Sequence, residues 1–365
     1  MAKLRLRLSL NAWRRLALKI EASGARLNWY VSLPYWLCSP FYSLLYRIQQ
    51  KSHAAAIENA VPPPPIFVLG FWRSGTTLLH EMLCCDSRFG FPSTYACLNP
   101  FHFLLSEHWM RNWAPGQQGR RPMDNMSYSW TSPQEDEFAL LALGAPSPYE
   151  ALLAPSLMRD PRLLLDLDQR PVEDQVRWCL VLQYLLQLLT VQQPKTMVLK
   201  SPSHGLRLAR LKTLFPEARY VIIERNPYEV FASNLKLWET LVELYSLEKF
   251  STEVIEEFVL AAYVLHEDAI SEGARNLDRP YMTRVRYEDL VAEPVVQMMR
   301  VFRELELGSF EEVRPALEEY LASTAGYRRN SFSLSSAQKA SVDTRWGAII
   351  NAKGYQWPSE RLGIR

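Results

Sequence analysis

The sequence is short of the features that mark several common classes of protein. Its five cysteines (Cys38, Cys84, Cys85, Cys97 and Cys179) form neither a CxxC pair nor a Cys/His cluster at metal-ligand spacing. An odd number of thiols in a 365-residue chain suits a reducing compartment where they act as small apolar groups, so neither a metal nor a disulfide framework is expected. The formal charge is only +2, from 41 Lys and Arg against 39 Asp and Glu, which argues against a nucleic-acid binder. No compact apolar core with a small-residue cleavage site opens the chain, so no signal peptide is read. The apolar, aromatic stretch Leu33 to Tyr46 is interrupted by Pro34 and Pro40 and falls short of the ~20 residues that span a bilayer. Internal repeats and low-complexity tracts are missing too.

What is present describes a folded chain, 48% hydrophobic and 22% charged, long enough to bury a large core. Charge is uneven along it. Residues 1–28 hold seven Lys and Arg against Glu21 alone, and an aromatic, apolar stretch runs from Trp29 to Ile48. Residues 1–61 therefore read as a basic, aromatic arm. Its first 50 residues either lie in the interfacial plane of an anionic membrane or form helices packed on the domain or on a second copy of the chain. Residues 62–365 form the main domain, with a substrate-binding insertion at about 86–190.

One further absence is local. Pro62 to Pro65 end the arm, and Ile66 to Leu69 are a short apolar run expected as a buried parallel strand. Gly70 and Gly75 then bracket a tight loop, and a helix is expected over about 76–84, so backbone N–H groups and helix polarity converge on an anion. The glycine spacing fits the phosphate loop of nucleoside triphosphatases, yet Thr76 stands where that pattern requires lysine. The positive charge sits instead on Arg73, whose planar guanidinium grips phosphate or sulfate oxygens in pairs. A phosphate-linked donor other than a nucleoside triphosphate follows.

Three more strands are expected at Thr196 to Leu199, Tyr220 to Ile223 and Tyr281 to Val285, with helices at 204–214, 227–239 and 253–271 between them. This alternation predicts an α/β fold, a P-loop-like three-layer sandwich around a mostly parallel sheet, with the helical, aromatic arm attached. Ligands of such sheets collect at the carboxyl ends of strands, where the loop after Gly70, the segment Lys200 to His204, and Arg225 all fall. Residues 86–132, punctuated by proline and glycine, read as mostly irregular chain of the kind that builds binding sites. A helix is expected from Ser132-Pro-Gln-Glu135, with Ser132 as N-cap and Glu135 at N3, ending near Gly144. Val172 to Thr190 reads as a buried helix.

The Arg73-Ser-Gly-Thr-Thr77 loop, the run Arg225-Asn-Pro to Ser233, Lys200-Ser-Pro, and Tyr287-Glu-Asp-Leu290 together resemble the sulfotransferases that use 3'-phosphoadenosine-5'-phosphosulfate (PAPS). The resemblance is to the bacterial branch related to the mycobacterial menaquinone sulfotransferase, over roughly residues 62–350. It implies that Arg73, Ser74, Gly75, Thr76 and Thr77 hold the 5'-phosphosulfate and that Arg225 and Ser233 hold the 3'-phosphate. It also implies that Lys200 lies near the donor and that Arg328, Arg329 and Asn330 loosely match the stretch closing over the nucleotide. PAPS is then the sulfuryl donor and the 3',5'-bisphosphate PAP the product, with no metal. The carboxylates of Tyr287-Glu-Asp-Leu290 are expected to cap the helix that follows.

Sulfuryl transfer to an alcohol needs in-line approach, an acceptor for the hydroxyl proton, and positive groups around sulfur. The proton acceptor is expected at Glu135, followed by Asp124, Glu137, His102 and His80, with Arg73 and Lys200 as the positive groups. Trp109, Trp113, Tyr128 and Trp130, with the apolar helix at 172–190, point to a lipophilic alcohol or lipid as acceptor; a glycan or glycolipid remains open because aromatic rings also stack on sugars. A P-loop kinase and a catalytically silent, membrane-associated nucleotide binder are the competing readings. The expected location is the cytoplasm, peripheral at the inner face of the cell membrane, without nucleic acid and with a homo-oligomer left open.

Overall fold

The computed structural model describes residues 6–24, 29–113, 118–120, 127–325, 332–358 and 362–364. At its centre is a five-stranded sheet, whose strands we number alone: β1 (Ile66–Leu69), β2 (Phe89–Gly90), β3 (Thr196–Lys200), β4 (Arg219–Glu224) and β5 (Met282–Arg286). They lie in the order β2-β3-β1-β4-β5 and every pairing is parallel. Register aligns Val68 with Lys200 and Leu69 with Ile222, so the chain leaves neighbouring strands on one edge.

Alternation along each strand divides the core into two faces, as the period of two requires. Phe67, Leu69, Met197, Leu199, Tyr220 and Ile222 pack beneath the helices Val172–Gln192 and Leu208–Leu214. Ile66, Val68, Val198, Val221, Ile223 and Val285 face the helices Thr76–Leu83 and Pro294–Glu304. Both faces being covered explains why β1 reads as an unbroken apolar run rather than an alternating one. A third cluster joins the helices Pro227–Tyr245, Thr252–Gly273 and Ser336–Ala352 to the N-terminal arm.

The arm contains two helices of different character. In Leu10–Ala22, Trp13, Leu16, Ala17 and Ile20 are buried, and Trp13 stacks on Tyr35 at 4.6 Å. Lys19 pairs with Glu150 at 2.9 Å and Arg15 with Asp174 at 3.3 Å, so much of the basic charge of this helix is spent on the domain. The second helix, Trp29–Ser52, runs through Pro34 and Pro40 without breaking. Each proline lacks the N–H that would bond to the carbonyl four residues earlier, at Tyr30 and Trp36, and both of those residues are exposed.

Two expectations fail locally. Residues 86–132 are not mostly irregular: they contain the helices Thr94–Leu98 and Phe103–Trp113 and short strands at Gln118–Arg120 and Ser127–Ser129. Nor does a helix start at Ser132. It begins at Glu137 with Asp136 as N-cap, and it ends as expected at left-handed Gly144. The preceding backbone is taken by tertiary pairing, with Thr94 N donating to Ser132 O at 2.8 Å and Gln134 N to Pro92 O at 3.0 Å. These contacts override the local capping signal, so Glu135 is no capping-box residue.

Candidate active site

The loop after β1 turns tightly because two glycines are required there. A Cβ on Gly70 would meet Ser74 Oγ at 2.6 Å and the Ile223 carbonyl at 2.7 Å. Gly75 sits at φ +102° with a virtual Cβ 2.4 Å from the Tyr287 ring, and Arg73 itself takes φ +68°. This left-handed kink turns the chain into the helix Thr76–Leu83, with Gly75 at its N-cap. Ser74 is buried, and its Oγ makes no hydrogen bond among the described residues.

Arg73, Arg225 and Ser233, which lie far apart in sequence, converge at this loop. Arg73 Nε donates to Ser233 Oγ at 2.9 Å, and Arg225 Nη1 donates to the Arg73 carbonyl at 3.1 Å. Arg225 lies over the Tyr287 ring at 4.3 Å and pairs with Glu229 one helical turn away at 2.5 Å. Ser233 is buried two turns into the helix that Asn226 caps. Against expectation, Glu288 does not cap the helix that follows, Pro294–Glu304; its Oε1 accepts from the Asn226 backbone N–H at 3.0 Å, fixing the turn that presents Arg225.

On the other side of β1, the acidic run 135–137 reads onto the segment after β3 residue by residue. Lys200 Nζ donates to Glu135 Oε1 at 2.6 Å, His204 Nε2 bonds Asp136 Oδ2 at 2.6 Å, and Arg207 Nη1 donates to Glu137 Oε2 at 3.2 Å. Ser201 and Ser203 also donate to Glu137. The side chains of Asp136 and Glu137 are wholly buried, whereas that of Glu135 is 15% exposed. Glu135 is thus the one acid of the three with access to a ligand. Its second oxygen accepts from the Tyr149 hydroxyl, which in turn accepts from Trp72 Nε1 at 3.2 Å.

The remaining candidates separate. His80 is fully buried, its Nε2 lies 3.1 Å from the Val198 carbonyl, and burial next to Lys200 lowers its pKa to about 3, so it is a neutral packing residue. His102, just before the helix Phe103–Trp113, bonds Ser106 at 2.7 Å, and burial lowers its pKa. Asp124, Arg328, Arg329 and Asn330 lie outside the described residues. The cysteines are free thiols; burial pushes Cys85 up to about 11 and Cys84 well above its ordinary value, both in the unreactive direction. No cluster suited to a metal ion occurs among the described residues. Sequence reasoning missed Trp72 and Tyr149 as neighbours of Glu135. It also missed the pairing of Asp136 with His204 and of Glu137 with Ser203 and Arg207, although the spacing of the two runs was there to be compared.

Comparison with known proteins gives a consistent picture. The model of the sulfotransferase family matches residues 64–312. The omega-hydroxy-beta-dihydromenaquinone-9 sulfotransferase of Mycobacterium tuberculosis is 35% identical over 347 residues, covering 94% of this chain and 89% of its own. The nodulation protein NoeE of Sinorhizobium fredii is 26% identical over 190 residues, 48% of this chain and 44% of its own. Among solved structures, sulfotransferase STF9 from Mycobacterium avium superposes with TM-score 0.69 at 16% identity, covering 96% of this chain and 93% of that one. STF1 from Mycobacterium tuberculosis follows at TM-score 0.65 and 21% identity, covering 92% of each.

Proposed function

The chain belongs to the PAPS-dependent sulfotransferase family, and we propose that it moves a sulfuryl group from PAPS to the hydroxyl of a membrane lipid of the prenylated-quinone type. The observation that carries the reading is the meeting, at the carboxyl edge of one sheet, of the Arg73/Arg225/Ser233 group with the Lys200–Glu135 pair. The donor chemistry fits these residues. Ser74 Oγ is an orphaned hydroxyl at the head of the loop, and the first turn of Thr76–Leu83, with Thr76 and Thr77, offers backbone N–H groups for the 5'-phosphosulfate. Arg73 adds a paired-donor grip there. Arg225 and Ser233 supply a charged fork and a hydroxyl for the 3'-phosphate.

In this mechanism Glu135 takes the proton of the acceptor hydroxyl as the acceptor oxygen bonds to sulfur and the bond from sulfur to the bridging phosphate oxygen breaks. Lys200, buried to 1% exposure, would turn its ammonium from Glu135 toward the oxygens on which charge gathers, and PAP leaves. Losing that pairing with Lys200 frees Glu135 Oε1 for the acceptor. Trp72, Tyr149 and Trp238, with ring centroids 5.6 to 6.5 Å apart, form an apolar wall beside the carboxylate and keep water from competing as acceptor. The test is transfer of labelled sulfuryl from PAPS to a hydroxylated prenyl quinone and to soluble sugars. Turnover on the lipid and not on the sugars is expected; turnover confined to sugars, or none with PAPS, would sink the reading.

A lipid acceptor must be reached at its membrane, and the second arm helix has the surface for it. Leu33, Leu37, Phe41, Leu44 and Ile48 follow one another at intervals of three and four, all exposed, with Leu37 at 68%. Trp29–Ser52 contains no acidic residue and carries Arg47 and Lys51 near its end. Gln49, on the buried side, clamps the helix to the domain by bonds of 3.0 Å to the Pro100 carbonyl and the Leu104 N–H. No helix among the described residues is long and apolar enough to cross a membrane, and an exposed apolar stripe with basic residues near its end is the kind of surface that binds in the interfacial plane. Replacing Leu37 and Phe41 together by glutamate is expected to abolish sedimentation with anionic vesicles and slow transfer to vesicle-borne acceptor at least tenfold. Transfer to detergent-dispersed acceptor should be unchanged. Equal rates in both formats would exclude the contact.

A further inference from the structure

We propose that Tyr149 is the positioning residue for the acceptor-side carboxylate, and that through Trp72 it ties Glu135 to the donor loop. The inference rests on the assignment of Glu135 as proton acceptor. Trp72 lies in the turn between β1 and the helix Thr76–Leu83, adjacent to Arg73. Its carbonyl accepts from Asn234 Nδ2 at 2.7 Å, and its indole Nε1 donates to the Tyr149 hydroxyl oxygen at 3.2 Å. An indole can only donate, so the Tyr149 oxygen is the acceptor of that bond and the phenolic proton is left for Glu135 Oε2. Burial, reinforced by the negative charge of Glu135, holds the phenol well above its ordinary pKa, so this donor keeps its proton at any working pH.

Tyr149 matters because Lys200 is needed elsewhere. In the proposed reaction Lys200 leaves Glu135 Oε1 for the donor oxygens, and a glutamate released on that side would recover rotamer freedom. Tyr149 keeps Oε2 pinned while Oε1 opens to the acceptor. The ring is itself held, by Phe138 at 4.9 Å and Trp238 at 6.3 Å between centroids. One hydrogen-bond chain, Trp72 to Tyr149 to Glu135, thus sets the distance between the loop that presents the sulfuryl group and the base that receives the proton. Positioning of this kind acts on the chemical step rather than on donor affinity.

The test uses Tyr149→Phe, Glu135→Gln and the double variant in the full chain, with PAP affinity, melting temperature, kcat and KM measured for each. Tyr149→Phe is expected to lower kcat by about tenfold to a hundredfold with PAP affinity and KM for PAPS within about twofold of the parent. In the Glu135→Gln background the same change should cost less than twofold, because Tyr149 acts only through Glu135. Trp72→Phe, which removes the bond that orients the hydroxyl, should reproduce part of the kcat loss. The proposal is overturned if Tyr149→Phe leaves kcat intact while Glu135→Gln does not, if the two losses multiply in the double variant, or if Tyr149→Phe weakens PAP binding as much as it lowers kcat. Full activity in Glu135→Gln is a different failure: it removes the base assignment itself.

Discussion

Glu135→Gln is expected to lower kcat by about a hundredfold to ten-thousandfold, the range for removing a positioned general base, while leaving PAP affinity close to that of the parent and costing less stability than the same change at wholly buried Glu137. The substitution keeps shape and volume, and the amide oxygen can still accept from either Tyr149 or Lys200. What is lost is the charge that draws the proton from the acceptor hydroxyl. The neighbouring acids give the contrast. Glu137 is buried against Arg207, and Glu137→Gln removes half of an ion pair with no access to water, which typically costs about 3–5 kcal/mol. A matched set of melting and rate measurements therefore separates one acid that acts in chemistry from one that acts in folding. Loss of stability in Glu135→Gln comparable to that in Glu137→Gln, with little change in kcat per folded molecule, would reverse the assignment.

That contrast also marks where the sequence was legible. The apolar run Ile66–Leu69 flanked by proline and glycine, and the β-rich segments before Lys200 and Arg225, fix their strands through burial on both faces, a property a short apolar run shows openly. Arg73, Arg225 and Ser233 could be placed together because parallel strands deliver their following loops to one edge. The local capping signal at Ser132 misled, since residues 132–134 pair with Pro92 and Thr94, forty positions away in the chain and invisible to a local reading. Tyr149 had no signal at all. It sits in Ser-Pro-Tyr-Glu, an ordinary helix entry, and gains its role only when that turn is brought against the loop after β1. The arm was legible in composition but not in division of labour: helix Leu10–Ala22 spends Arg15 and Lys19 on the domain, and helix Trp29–Ser52 keeps its apolar stripe outward.

Arg225→Ala is expected to weaken PAP binding about a hundredfold while scarcely altering binding of adenosine 5'-phosphate, which lacks the 3'-phosphate. A charge-assisted fork to a phosphate contributes about 1.5–3 kcal/mol, and the larger end applies where the arginine is largely shielded from water, as Arg225 is against Tyr287. The structure adds a second cause. Glu229 pairs with the same guanidinium, so a 3'-phosphate competes with a carboxylate for Arg225, and removing the arginine leaves that negative charge beside the phosphate. The two causes come apart in a second variant: Arg225→Ala/Glu229→Gln should recover part of the lost affinity by removing repulsion, yet it should not recover the preference for PAP over adenosine 5'-phosphate. Glu229→Gln alone should tighten PAP binding, because Arg225 is then free to serve the phosphate. Ser233 is under no such competition, since its hydroxyl accepts from Arg73 at 2.9 Å through a lone pair and keeps its own proton to donate to the 3'-phosphate. Calorimetric titration of the four proteins with both nucleotides decides the matter. A uniform loss for PAP and adenosine 5'-phosphate in Arg225→Ala would place Arg225 at the 5'-phosphate instead, and the division of the site into two phosphate grips would have to be redrawn.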